Sequence, residues 1–271
     1  MTSSRKLCIL SIFAGSFFLG VFQASAGLGQ VIPEFGDLDR WGVLSLGSGQ
    51  LGNRLSVNSV AGDVGIAGKG GIILSGNTTI NGDLYYRGNG KLWISGNSSV
   101  TGALFHNQDS LLDLAVSQAI ATSKAAAALP STRAFTNLEL ERDQSTTLTG
   151  APGETVVLSL RDFEMTGNST LTLQGTATTM FIINVKRQFF LSGNARIVLS
   201  GGVTWNNVLF NVRGKGSDVR IMNQAHFEGV LMANRRTVKI LGYATLSGSV
   251  IGNRVVLSGS ATVTHPPVTS P

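Results

Sequence analysis

Leu74-Ser75-Gly76-Asn77-Thr78-Thr79-Ile80 returns twenty residues later as Ile94-Ser95-Gly96-Asn97-Ser98-Ser99-Val100, and this recurrence decides the fold. The phrase appears again at Met165-Thr166-Gly167-Asn168, Leu191-Ser192-Gly193-Asn194 and Leu257-Ser258-Gly259-Ser260, with degenerate copies from Ile221 and Ile240. Counted from the leading apolar residue, successive copies lie 20, 71, 26, 30, 19 and 17 residues apart. Self-similarity at such a period marks a solenoid, in which each turn buries its apolar side against the next. The short separations suit one turn of a triangular β-solenoid, and 26 and 30 suit turns with longer corners. Glycine supplies the positive φ that tight corners need.

The register within each copy sharpens this. With the apolar leader as position zero, position four is Thr78, Ser98, Ser169, Ala195, Ala225, Ala244 or Ala261, always small. Position six is Ile80, Val100, Leu171, Ile197, Phe227, Leu246 or Val263, always apolar. A spacing of two puts both on one face of a strand, so they point inward and stack as columns about 4.8 Å apart. A β-sandwich, the rival architecture, predicts no matched columns at a fixed offset from a glycine corner.

The separation of 71 contains a helix, expected over about 109–129. Asp109 can cap its start, Asp113 follows in the first turns, and an alanine-rich run stops at Pro130. Leu112, Val116, Ala119, Ile120 and Ala127 form an apolar stripe at helical spacing, to be buried against the long side of the solenoid.

Around this centre the chain divides into residues 1–26, 27–40, 41–265 and 266–271. Arg5 and Lys6, the apolar run Leu7 to Phe22, and Ala24-Ser25-Ala26 read as a secretion signal peptide, with cleavage before Gly27. Residues 27–40 read as an extended leader, 41–265 as the solenoid domain and 266–271 as a tail. The run is too short for a convincing membrane span, a retained N-terminal anchor being the alternative, and a mature chain without one is expected outside the cell, secreted or at its surface. The single cysteine, Cys8, lies within the signal, so the mature chain excludes disulfides and thiolate chemistry. It would carry nineteen basic against fifteen acidic residues, only mildly basic, and no nucleic acid partner is expected.

The order of elements resembles the ice-binding-like family of microbial ice-binding proteins and related bacterial surface proteins. The matching phrases are Gly42-Val43-Leu44, Val60-Ala61-Gly62-Asp63-Val64-Gly65, the helix, Gly201-Gly202-Val203-Thr204-Trp205-Asn206-Asn207-Val208-Leu209-Phe210-Asn211-Val212, His226-Phe227-Glu228-Gly229-Val230-Leu231-Met232-Ala233 and Leu246-Ser247-Gly248-Ser249-Val250-Ile251. They cover about residues 42 to 264. After Gly153 the chain departs from the family pattern with Glu154-Thr155-Val156-Val157. The resemblance implies an irregular right-handed β-helix with a long α-helix alongside. The expected fold is thus an all-β solenoid of triangular cross-section with one flanking helix.

Two surfaces suggest function. Positions five and seven should face outward; they read Thr79/Asn81, Ser99/Thr101, Thr170/Thr172, Arg196/Val198, His226/Glu228, Thr245/Ser247 and Thr262/Thr264. Rigid, regularly spaced hydroxyls and methyls can order water into an ice-like lattice with little entropy left to lose on binding. Thr79, Asn81, Ser99, Thr101, Thr170, Thr172, Thr245, Ser247, Thr262 and Thr264 are therefore candidates for contact with ice or another ordered extracellular surface. The competing account is that threonine favours exposed strand positions. Arg196 and His226/Glu228 would interrupt the face unless the turns stack out of chain order.

Lys69, Lys91, Arg161, Arg187, Lys215, Arg236 and Arg254 precede successive copies and could stack as a basic edge for an acidic polysaccharide, the reading of an adhesin or matrix protein. Ordinary solvated corner residues that protect an edge are the alternative. Nothing points to an enzyme. Asp162 and Glu164 lie on one short strand rather than flanking a bond, and His106, His226 and His265 lack the spacing of a metal site. No cofactor is expected. A polysaccharide-active enzyme, which can share the β-helix architecture, is the distant alternative.

Overall fold

The computed structural model describes residues 38–47, 53–56, 59–69 and 71–267. The expected signal peptide and most of the leader lie outside the described residues. The chain is built from short strands and one helix, Asp109–Ala128, and every strand pairing is parallel.

Three parallel ladders make the coil, so the fold is a β-helix. The first stacks Asn137–Leu140, the later halves of Thr155–Met165 and Met180–Leu191, Val219–Ile221, the ends of His226–Gly242 and Thr245–Gly259, then Asn53–Ser56, Ile72–Ser75 and Leu92–Ile94. The second stacks Ser145–Thr149, Thr170–Gln174, Arg196–Ser200, the starts of His226–Gly242 and Thr245–Gly259, Thr262–Thr264, Ser59–Ala61, Thr79–Asn81 and Ser99–Val100. The third holds the beginnings of Thr155–Met165 and Met180–Leu191, Val208–Val212, the middles of the two longest strands, Trp41–Ser45, Asp63–Ile66, Leu84–Tyr86 and Leu104–Phe105.

The stacking order is not chain order. The chain enters at mid-length through Trp41–Ser45, which lies between Asp63–Ile66 and residues 250–252. It coils outward to Phe105, crosses on the helix, and coils back from the far end until Thr262–Thr264 meets Ser59–Ala61. A helix of 20 residues is about 30 Å long, roughly six coil spacings. Residues 129–136 complete the crossing to Asn137–Leu140.

Inside, the columns form as the repeat predicts. Leu171, Ile197, Phe227, Leu246, Val263 and Ile80 are buried in one cluster, and only Val100, in the outermost coil, is half-buried. Position four is buried as well, apart from the half-buried Ser98. Where the coil is widest, Phe163 and Phe189 stack at 5.0 Å, with Phe210 and Phe227 packed edge-on.

The corner phrase has two jobs. Its glycines adopt positive φ, as at Gly76, Gly96, Gly167 and Gly193. Its asparagines bond from coil to coil: the Asn194 amide donates to Asn168 Oδ1 at 2.9 Å, and Asn168 in turn to Asp143 Oδ1 at 2.8 Å. At two described corners without the glycine, Asn223 (φ 63°) and Arg142 (φ 59°) take the left-handed conformation themselves.

The helix departs from the expected detail. Its N-cap is Gln108, without a side-chain capping bond, and Asp109 is already helical. The Asp109 carboxylate instead accepts from the Gly88 N–H at 3.0 Å and pairs with Arg87, which also holds Asp113. The buried stripe is Leu112, Ala115, Ala119, Thr122 and Ala126, so Ile120 is 43% exposed and Val116 and Ala127 are only half-buried. The small residues let the helix axis approach Val157, Ile182, Leu209, Val230 and Met232 on the third ladder.

Candidate functional site: the hydroxyl face

The second ladder presents one row of paired side chains per coil. From the far end they read Ser145/Thr147, Thr170/Thr172, Arg196/Val198, His226/Glu228, Thr245/Ser247, Thr262/Thr264, Ser59/Ala61, Thr79/Asn81 and Ser99/Thr101. All are half-exposed or exposed, alternating with the buried columns. The residues that interrupt the face fall together, as they also do in chain order. Arg196, His226 and Glu228 sit on two adjacent coils, and the five consecutive coils beyond them carry no charged outward residue on this ladder. The two Thr/Ser coils at the far end form a separate, smaller patch.

At the boundary, His226 Nδ1 lies 2.7 Å from Thr245 Oγ1. Burial holds the imidazole's pKa below its ordinary 6.5; Glu228 works against that shift and Arg196 adds to it. The imidazole is thereby disposed to stay neutral and continue the polar row. A hollow of about 380 Å³ lined by Ser59, Asn77, Thr79, Asn81, Ser260, Ala261 and Thr262 marks the corner side of the junction. It lies where Thr262–Thr264 meets Ser59–Ala61.

Two of these coils are not evident from the Ser-Gly-Asn phrase. The coil of Ser145 and Thr147 has Glu141-Arg142-Asp143 at its corner, and that of Ser59 also lacks the glycine phrase. The signal was present elsewhere: Val60-Ala61-Gly62-Asp63 parallels Ile80-Asn81-Gly82-Asp83. Those aspartates form a ladder, Asp63 Oδ1 accepting from the Asp83 N–H at 2.9 Å and Asp83 Oδ1 from the Ala103 N–H at 2.8 Å.

The basic residues do not make a continuous edge of free cations. Arg236 is buried, and its guanidinium donates to the carbonyls of Lys186, Arg187, Arg213 and Gly214, pinning three coils at one corner. It is a corner clamp and leaves the set of surface candidates. Arg161 and Arg187 both pair with the buried Asp162, at 3.5 and 3.3 Å. Lys215 is exposed, sharing a hollow of about 220 Å³ with Arg187. Arg254 is half-buried, and Lys69 and Lys91 are exposed on the coils toward the opposite end.

The residues weighed for catalysis have structural partners. Asp162 accepts from the Gln188 N–H, and Glu164 from the Gln188 side chain. His106 stacks on Tyr86 and bonds Gly88 O, while His265 bonds Gly248 O and Asp39 O. Among the described residues no three His, Cys, Asp or Glu side chains gather to hold a metal. No helix there is long and apolar enough to cross a membrane.

A parallel β-helix, braced by one helix and carrying a charge-free row of short polar side chains, defines a class of surface-presenting solenoids. Within that class the chain belongs to the family described as "Putative Ice-binding-like adhesive domain", whose profile matches residues 41–265. An ice-binding protein of Leucosporidium sp. (strain AY30) is 33% identical over 101 residues, and the match covers 37% of each chain's length. Among solved structures, a glycosylated ice-binding protein from an Arctic yeast superposes with a TM-score of 0.58 at 22% identity, covering 88% of this chain and 95% of that one. An ice-binding protein from an Antarctic Flavobacteriaceae bacterium gives a TM-score of 0.59 at 18% identity, covering 88% and 49%. At these identities the superpositions establish a shared fold.

Proposed function

We propose that the protein is an exported, non-enzymatic binder that adsorbs to ice, or to a comparably ordered surface, through the five-coil hydroxyl face. In this reading residues 1–26 are a cleaved signal peptide, and 41–265 form one right-handed coil of triangular section that acts as a rigid platform. The observation that carries it is the juxtaposition of Thr245/Ser247, Thr262/Thr264, Ser59/Ala61, Thr79/Asn81 and Ser99/Thr101, brought side by side by the meeting of the two chain halves. Five coils span about 19 Å along the axis. Side chains this short, on backbone held in a parallel ladder, lose little freedom when water orders against them. Hydroxyls can hold such water while the threonine methyls exclude competing contacts.

Thermal hysteresis and ice-recrystallisation assays on the purified protein test this. Activity in the wild type that is lost in Thr262→Tyr, with folding unchanged by circular dichroism, supports it. Inactivity of the wild type in both assays overturns it. A second reading, adhesion to an acidic glycan at the basic corner, is favoured by the shared hollow of Arg187 and Lys215. Retention on a heparin-type column that survives Thr262→Tyr and fails in Lys215→Gln would select it.

A further inference from the structure

On the third-ladder side of the coil, the second half of the helix borders an open crevice. Asparagines hold the helix at intervals: Asn234 donates to Ala119 O at 2.8 Å, Asn211 to Ser123 O at 3.0 Å, and Asn184 to Ala126 O at 2.9 Å. Between the first and last of these contacts lies the crevice, of about 270 Å³.

Lys124, Arg213 and Arg235 line the crevice, together with Ile120, Ala127 and Val212, and no carboxylate does. None of the three cations enters an ion pair among the described residues. Arg213 has a structural duty: its Nη1 donates to Ala127 O at 3.0 Å, capping a helix that has no basic residue in its last turn. Lys124 and Arg235 have no such duty and are exposed. Three like charges around one concavity repel each other, and the repulsion is relieved when an anion enters. Ile120, 43% exposed, adds C–H surface beside the charges.

We propose that this crevice is a binding site for an anionic sugar, a carboxylated or phosphorylated monosaccharide unit seated with its acid group among Lys124, Arg213 and Arg235. Its ring lies against Ile120, Ala127 and Val212. The volume is just under the roughly 300–1,000 Å³ of sites for drug-sized ligands and suits one ring. The site is separate from the hydroxyl face and does not depend on ice binding.

Isothermal titration of the full chain at low ionic strength, with glucuronate, glucose 6-phosphate, inorganic phosphate and glucose as probes, tests the proposal. Saturable binding of glucuronate or glucose 6-phosphate is expected, with glucose silent and inorganic phosphate weaker by about tenfold, the contribution of the ring. Lys124→Gln/Arg235→Gln should weaken the sugar by at least about tenfold, with an unchanged melting temperature showing that the coil is intact. Thr262→Tyr should leave it unaltered. Absence of saturable binding overturns the proposal, as does equal binding by the double variant. Inorganic phosphate binding as well as the sugars overturns the assignment of a ring subsite.

Discussion

At the scale of single residues, the corner phrase was legible because its chemistry is demanding. A position held at positive φ accepts glycine without strain, and Gly76, Gly96, Gly167 and Gly193 all sit there. Arg142 was not legible, because nothing in Glu141-Arg142-Asp143 announces a left-handed residue. An L side chain in that conformation costs about 1–2 kcal/mol, part of which glycine's greater freedom in the unfolded chain offsets. Arg142→Gly is therefore expected to stabilise the protein by about 0.5–1 kcal/mol, read as a rise in the denaturation midpoint; a fall would show that the arginine side chain outweighs its backbone strain. Asp39 gives a pH signature. Its Oδ1 is buried without a hydrogen-bond partner, and burial raises the carboxyl pKa to about 6 from an ordinary 3.8. Between those values the folded protein holds a proton that the unfolded chain has released, so stability falls as pH rises across the window and levels off above it. Asp39→Asn should flatten that slope in urea titrations between pH 4 and 6, and an unchanged slope would assign it to other groups.

At the scale of elements, the alternation of small position four and large position six located the inward face of seven coils. Both residues answer to one constraint, the narrow space beside a corner. The helix was legible in extent but not in rotation. Alanine contributes so little contrast that Ile120 and Val116 dominated the apparent stripe, whereas packing chose Ala115, Ala119, Thr122 and Ala126 so that the backbone could come close. Closeness is what the asparagine contacts require, since Asn234 must reach the carbonyl of Ala119. Ala119→Leu should accordingly destabilise by about 1–3 kcal/mol through overpacking, although leucine is a good helix former. Calorimetry showing no loss of stability would mean that the helix is only loosely applied. The coils of Ser59 and Ser145 escaped the repeat because neither carries the glycine phrase, and at the second a left-handed arginine stands in glycine's place.

At the scale of the whole molecule, stacking order was beyond the reach of any local pattern. Which coil meets which is decided by where the helix delivers the chain, and the sequence marks only that a helix intervenes. That order turns scattered Thr/Ser pairs into one five-coil row and strands Thr170 and Thr172 beyond Arg196, His226 and Glu228. If the face acts as a unit, Thr262→Tyr should abolish ice shaping while Thr170→Tyr reduces it only partly; equal losses would place the two patches in one contact. The same order has a mechanical consequence. His265 Nε2 sits 2.5 Å from Asp39 O, and the His265 N–H bonds Ala61 O at 2.7 Å, so both ends of the described domain leave from the waist of the rod. Tension applied at the two ends of the described domain would converge on that one seam and bypass the outer turns, with the coil axis lying crosswise to the pull.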